Sequence, residues 1–152
     1  SGKVATPLPA APYTAVKFYF NECFPATDEN RAFARHIVEQ AAARGPVVSL
    51  ATGLHLDDHD GEDMRALGVA AMPPDVPPHQ NLAVQAALVA GARAFVGTYG
   101  GFSYMAPFLG VPATAYYSNE AGFSPRHLEM ARSALSSLGA SDLLDVKLST
   151  HT

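Results

Sequence analysis

One stretch of this chain limits its possible folds more than any other: Ala94-Phe-Val-Gly-Thr-Tyr-Gly-Gly-Phe-Ser-Tyr-Met-Ala-Pro-Phe-Leu-Gly110-Val-Pro-Ala-Thr-Ala-Tyr116. It reads as strand, glycine turn, short helix, glycine stop and strand. Ala94 to Val96 is short and apolar, as suits a strand covered on both faces. Gly100-Gly101 lets the backbone turn tightly, and Ser103 follows at once. The first turn of a helix over 102–109 then points its free amides out of the C-terminal edge of a sheet, with the positive end of the helix dipole behind them. An anion, and in particular a phosphate, is the ligand such an edge receives. Gly110 stops the helix, and Val111-Pro112 restarts extended chain.

The rest of the chain supplies the units that this stretch needs around it. Thr14 to Phe20 is β-branched and aromatic enough for a first strand, although Lys17 in its middle needs solvent or a partner. Asn21 to Thr27 is a loop, and Thr27 or Asp28 caps a helix over 29–44 whose Phe33, Ile37, Val38 and Ala41 share one stripe. Val47 to Ala51 is a second buried strand. An acidic segment from Gly53 to Asp63 follows as surface loop, and Ala70 to Met72 is a weak third strand. Two proline pairs, Pro73-Pro74 and Pro77-Pro78, exclude regular structure between them. Asn81 to Ala90 is a helix apolar nearly all round, which predicts packing on more than one side. After the strand Ala113 to Tyr117, Ser124-Pro125 opens a last helix with Leu128, Ala131, Leu135 and Leu138 on its buried stripe. Asp145 to Leu148 adds an edge strand.

Strands alternating with helices imply right-handed βαβ units. The expected fold class is α/β: a three-layer Rossmann-like domain with a parallel sheet of five to six strands and helices on both faces. At 152 residues, 48% of them hydrophobic, the chain is long enough to bury a core and too short for two domains of ordinary size. Residues 13–148 are expected to form that domain, with 1–12 a linker or a scar of expression and 149–152 a tail. Ten basic and 14 acidic residues give a net charge of −4, with no basic cluster for a polynucleotide. No apolar run approaches the roughly 20 residues of a membrane span. With Cys23 as the single cysteine, the expected setting is cytoplasmic and reducing.

In sheets of this kind ligands sit beyond the C-terminal strand ends, where the strand order reverses. Three loops are expected to converge there: Asn21 to Thr27, Gly97 to Ser103, and the segment near Thr52 to His55. Asn21 and Glu22, directly after a central strand, are expected to contact the ligand. The acidic run Asp57-Asp58-His59-Asp60 has the ligand types of a divalent ion, but on one exposed loop it reads as solvated, and no metal is expected. Cys23 lacks a neighbouring base and reads as an inert thiol.

The order strand, Ala-rich helix, strand, Gly-Gly, short helix, Gly-x-Pro, strand between Ala70 and Tyr117 resembles the C-terminal half of GT-B glycosyltransferases. The tightest match runs from Asn81 to Pro112, and the whole likeness covers roughly residues 13 to 138. The same region is similar to the diphosphate site of nucleotide-sugar epimerases. The resemblance implies a nucleotide-sugar donor, with Gly100, Gly101, Phe102 and Ser103 on the turn that holds the donor diphosphate. It places Met72 and Pro73 where the base is gripped, and Thr98 and Tyr99 toward the sugar. No cofactor or metal is implied, because amides and helix dipole offset the charge of the leaving diphosphate. The chain departs from the family in having no acid between Tyr104 and Leu109. Only Lys17 and Arg93 stand as basic residues near the crevice. The resemblance further implies a missing N-terminal acceptor domain or partner chain, with no catalytic residue assigned within this sequence. A missing partner would leave an aromatic patch, for which Phe24, Tyr99, Phe102 and Tyr104 are the candidates. The rival readings are a non-catalytic Rossmann-like nucleotide-binding or interaction module, or half of a nucleotide-sugar epimerase.

Overall fold

A computed structural model describes residues 11–50, 69–71 and 78–149. The strands are β1 (Thr14–Lys17), β2 (Val47–Ser49), β3 (Val69–Ala71), β4 (Ala94–Thr98), β5 (Ala113–Tyr117) and β6 (Leu144–Leu148). The helices are α1 (Asp28–Arg44), α2 (Pro78–Ala90), α3 (Gly101–Phe108) and α4 (Pro125–Ser137), with a 3-10 turn at Ser141–Leu143. All strand pairs are parallel, and the sheet order is β3-β2-β1-β4-β5-β6. The order reverses between β1 and β4, as in doubly wound nucleotide-binding folds.

Side chains alternate across the strands and so build two cores. Val16, Phe18 and Val47 pack against Ala34 and Val38 of α1 on one face. Ala15, Val48, Phe95 and Ala113 pack against Leu88, Val89, Ala106 and Leu135 of the other three helices on the opposite face. The fold is the expected three-layer α/β arrangement, with six strands. No described helix is long and apolar enough to cross a membrane.

The ends of the helices follow local chemistry. Thr27 accepts the Asn30 amide at 3.1 Å and Ser124 the His127 amide at 3.2 Å, as N-caps should. Gly110 (φ +80°) and Gly139 (φ +70°) take left-handed backbone. Behind them Val111 N bonds Ala106 O at 2.9 Å and Ala140 N bonds Leu135 O at 2.8 Å, which closes both helices in the same way.

Five sequence expectations need correcting. β1 ends at Lys17 instead of Phe20, whereas β4 runs on to Thr98 and so takes in Gly97. Pro78 does not exclude helix but opens α2, because a first-turn residue needs no N–H donor. α2 also exposes one side, with Leu82 64% accessible; its outward alanines carry little area, so an apolar count does not demand burial. Leu138, expected on the buried stripe, is 64% accessible. It lies beyond the last turn of α4, where its amide bonds Leu135 O at 3.0 Å and turns it off the stripe.

Candidate functional site

At the reversal point, β1 and β4 lie side by side, with Lys17 opposite Gly97. A Cβ on Gly97 would collide with the Lys17 carbonyl oxygen and lie 2.9 Å from its carbon, so close strand contact makes glycine necessary there. Thr98 comes next and is fully buried. Its hydroxyl accepts from Tyr19 N at 2.9 Å and donates to Tyr19 O at 2.8 Å, clamping the chain after β1 onto β4. Tyr19 in turn lays its hydroxyl against Gly100, where a Cβ would strike it.

The glycine turn divides into two kinds of residue. Gly100 N donates to Ser103 Oγ at 3.0 Å, and that hydroxyl donates back to Gly100 O at 2.6 Å. The amides of Ser103 and Tyr104 also reach Gly100 O, at 3.0 and 3.2 Å. Gly100 and Ser103 therefore use their polar groups within the turn and shape it. The amides of Gly101 and Phe102 have no partner among the described residues, Gly101 is exposed, and nothing lies within 4 Å of a Cβ placed on it. These are the orphan donors that the start of a helix leaves over.

A cation lies on the Phe102 ring. Lys17 Nζ lies 3.8 Å from the centroid of the Phe102 ring and donates to Gln85 Oε1 at 2.6 Å. Gln85 is held by Asn81 one turn earlier on α2. This is the partner that a lysine inside a strand required, and it is a neutral one. Burial lowers the Lys17 pKa, because the charged form gives up water for one amide and an aromatic face. Two of the three ammonium donors have no protein acceptor among the described residues. Arg93, the other expected cation, reaches Thr14 Oγ1 at 3.5 Å, at the opposite end of β1 and β4.

The loop after β1 is built differently. Asn21 Oδ1 accepts from Cys23 N at 3.0 Å, Phe24 N at 2.9 Å and Cys23 Sγ at 3.2 Å, so the carbonyl is consumed by its own turn. Glu22 is exposed, beside Gly122 of the loop after β5. Cys23 O receives Ser118 N at 2.8 Å and Asn119 N at 3.1 Å, joining these two loops. Asn30, which sequence reasoning missed, stands at that junction: Nδ2 donates to Pro25 O at 2.8 Å and Ser118 Oγ at 2.9 Å. An uncharged polar residue among the first residues of α1 was its one signal. Burial pushes the Cys23 thiol pKa up, as suits an unreactive thiol.

Tyr99 is buried and serves as packing. Its ring stacks on Phe123 at 4.7 Å and its hydroxyl meets that of Tyr104; burial raises the pKa of both phenols. Phe24 is wholly buried as well, so the expected aromatic patch shrinks to the half-buried Phe102 and Tyr104. Tyr116 packs on Phe18 and Phe33, and Tyr117 on Phe123. Met72, Pro73 and the acidic segment with His55 lie outside the described residues. Away from the crevice, an open groove of about 570 Å³ runs between α1 and β5–β6, lined by Phe33, His36, Ile37, Gln40, Tyr116 and Lys147 among others.

No family model matches the chain, and no curated protein does. Among solved structures it is similar to the ADP-heptose LPS heptosyltransferase II of E. coli, at 15% identity and a TM-score of 0.47, over 70% of this chain and 33% of that one. The chain thus spans about a third of that protein's length.

Proposed function

We propose that this chain is the nucleotide-sugar donor-binding part of a glycosyltransferase, and that it holds the donor diphosphate at the first turn of α3. One observation carries the reading: two unpartnered amides, of Gly101 and Phe102, stand where the strand order reverses, and the Lys17 ammonium lies on the ring of that same Phe102. Amides, dipole and ammonium all favour a group with two negative charges, and the donor diphosphate gains charge as its bond to the sugar breaks. Gly100 and Ser103 shape the turn. Glu22, exposed at the neighbouring loop, is the side chain offered to sugar or base, while Asn21 positions the loop. Thr98 and Tyr99 lie beneath the sugar as support for Tyr19 and the turn. Met72 and Pro73 keep the base-gripping role that the resemblance gives them. The acceptor site and its general base belong to a second domain or a partner chain.

The test is a titration of labelled protein with ADP, UDP and GDP, followed by NMR. The amides of Gly101 and Phe102 are expected to shift most, and for one base more than the others. Gly101→Pro sharpens the result: it deletes one open amide at a position where helices accept proline. Binding is expected to weaken about tenfold or more, since a hydrogen bond to a charged group is worth roughly 1.5–3 kcal/mol. A spectrum unmoved between 97 and 104 at millimolar nucleotide would favour the non-catalytic module.

A further inference from the structure

We propose that the free edge of β6 is a self-association surface, on which a second copy of the chain adds its own β6 antiparallel about a twofold axis at Val146. β6 is the last strand of the sheet, and it pairs with β5 alone among the described residues. Ser149 N bonds Tyr117 O at 2.7 Å, continuing the register of Leu148 with Tyr117. Hydrogen-bonding direction alternates along a strand, so Asp145 and Lys147 also turn their backbone groups toward β5. Leu144, Val146 and Leu148 then present theirs outward. Arg132 Nη1 already reaches one of these, Leu144 O, at 3.1 Å from α4.

The sequence of the strand is complementary to its own reverse. With Val146 on the axis, Leu144-Asp-Val-Lys-Leu148 pairs leucine with leucine, valine with valine, and each Asp145 with a Lys147 of the other copy. Parity agrees with this register. Val146 meets its equivalent in a hydrogen-bonded pair, as does Leu144 with Leu148, and the charged residues fall in the closer non-hydrogen-bonded pairs. Asp145 and Lys147 share one face and lie 3.4 Å apart within the strand, each side chain about half exposed, so both remain accessible to the side chains of a strand added at this edge. Leu148, 55% accessible in the single chain, gains cover from its neighbour. Lysine alone on an edge repels a second strand. Aspartate two residues before it turns that repulsion into selection for an antiparallel copy, joining two sheets in one.

Sedimentation equilibrium on the full 152-residue chain tests this in the micromolar range. The unaltered chain is expected to dimerise. Asp145→Lys and Lys147→Asp, each alone, place like charges opposite each other twice and should weaken the dimer roughly thirtyfold or more. Mixing the two variants restores opposite charges and should restore dimers, as should the double exchange Asp145→Lys with Lys147→Asp. If one single variant fails to fold, the other carries the test, with the double exchange, which keeps the local ion pair, as its rescue. A chain that stays monomeric at high micromolar concentration, or single variants that dimerise as well as the unaltered chain, would overturn the proposal. Nucleotide binding at the first turn of α3 is expected to be unchanged in these variants, because Asp145 and Lys147 lie on the face of β6 opposite to Leu144 and Val146, which share a core with Ala106 of α3.

Discussion

The turns after β1 and β4 leave the same edge of the sheet from adjacent strands, and they treat their amides in opposite ways. After β1, a single carbonyl, Asn21 Oδ1, collects the donors of Cys23 and Phe24. After β4, Ser103 collects the Gly100 amide and leaves those of Gly101 and Phe102 open. The first turn is closed on itself, whereas the second is closed only far enough to hold its shape. A polar side chain after a strand is therefore no guide to a ligand until its lone pairs are counted.

The sharpest way to break the second turn is to disturb the strand that feeds it. Gly97→Ala drives a methyl into the Lys17 carbonyl, a backbone group that cannot swing aside. We expect a loss of about 3 kcal/mol in urea unfolding, near the upper end for a single change. An unchanged midpoint would mean that β1 and β4 separate more easily than their register implies.

Next in size is the alkaline limit, which probes the floor that the two turns share. Cys23 of the first turn reaches Tyr99 O of the second at 3.9 Å, and burial raises the pKa of Cys23, Tyr19, Tyr99 and Tyr104 around it, and of Tyr13 elsewhere. Folding favours the neutral forms, so their contribution is intact below the ordinary values, 9.0 for the thiol and 10.0 for the phenols. It is lost as pH rises through the raised values. Lys17, lowered from 10.5, works the other way and adds stability as it deprotonates. Five groups outweigh one. The unfolding midpoint is expected to fall steadily above about pH 10; a flat profile there would mean that water reaches this floor.

Local chemistry made the strand, Gly-Gly, helix, Gly-x-Pro series readable, because glycine and proline restrict their own residue whatever packs around them. The sheet followed from that series and the alternation of elements. What stayed hidden depends on distant partners. Thr98 looks like a ligand residue in sequence, and only the chain that follows β1 shows its hydroxyl bonded to Tyr19. Lys17 looked misplaced until Gln85 and Phe102 arrived from two helices. Asn21 is the exception: a side chain that captures amides two and three residues on is a local habit of asparagine, and its spacing before Cys23 and Phe24 was open to reading.

Asn21→Ala tests the closed turn directly. It leaves the Cys23 amide without its acceptor and the Phe24 amide with only the longer bond to Asn21 O at 3.3 Å, and Cys23 and Phe24 are both buried. A loss of about 1–2 kcal/mol in unfolding free energy is expected, with nucleotide affinity unchanged. Lys17→Met should do the reverse. Affinity for a nucleoside diphosphate should fall about tenfold by calorimetry while stability holds, since a half-buried ammonium is replaced by an apolar chain of similar length. Should Asn21→Ala weaken binding more than Lys17→Met does, the roles of the two turns are exchanged.

The smallest effect separates the two glycines of the pair. Gly100 is hemmed in by the Tyr19 hydroxyl, whereas nothing lies within 4 Å of a Cβ on Gly101 and its φ is not positive. Gly101→Ala keeps the open amide and restricts only the unfolded chain, so it should raise stability by about 0.5 kcal/mol. A phosphate in contact with those amides needs the backbone bare, and the added methyl then stands in its path. Stability up and diphosphate affinity down in one variant is a result that a packing turn does not produce. If both rise together, or affinity is untouched, Gly101 is glycine for some reason other than a ligand.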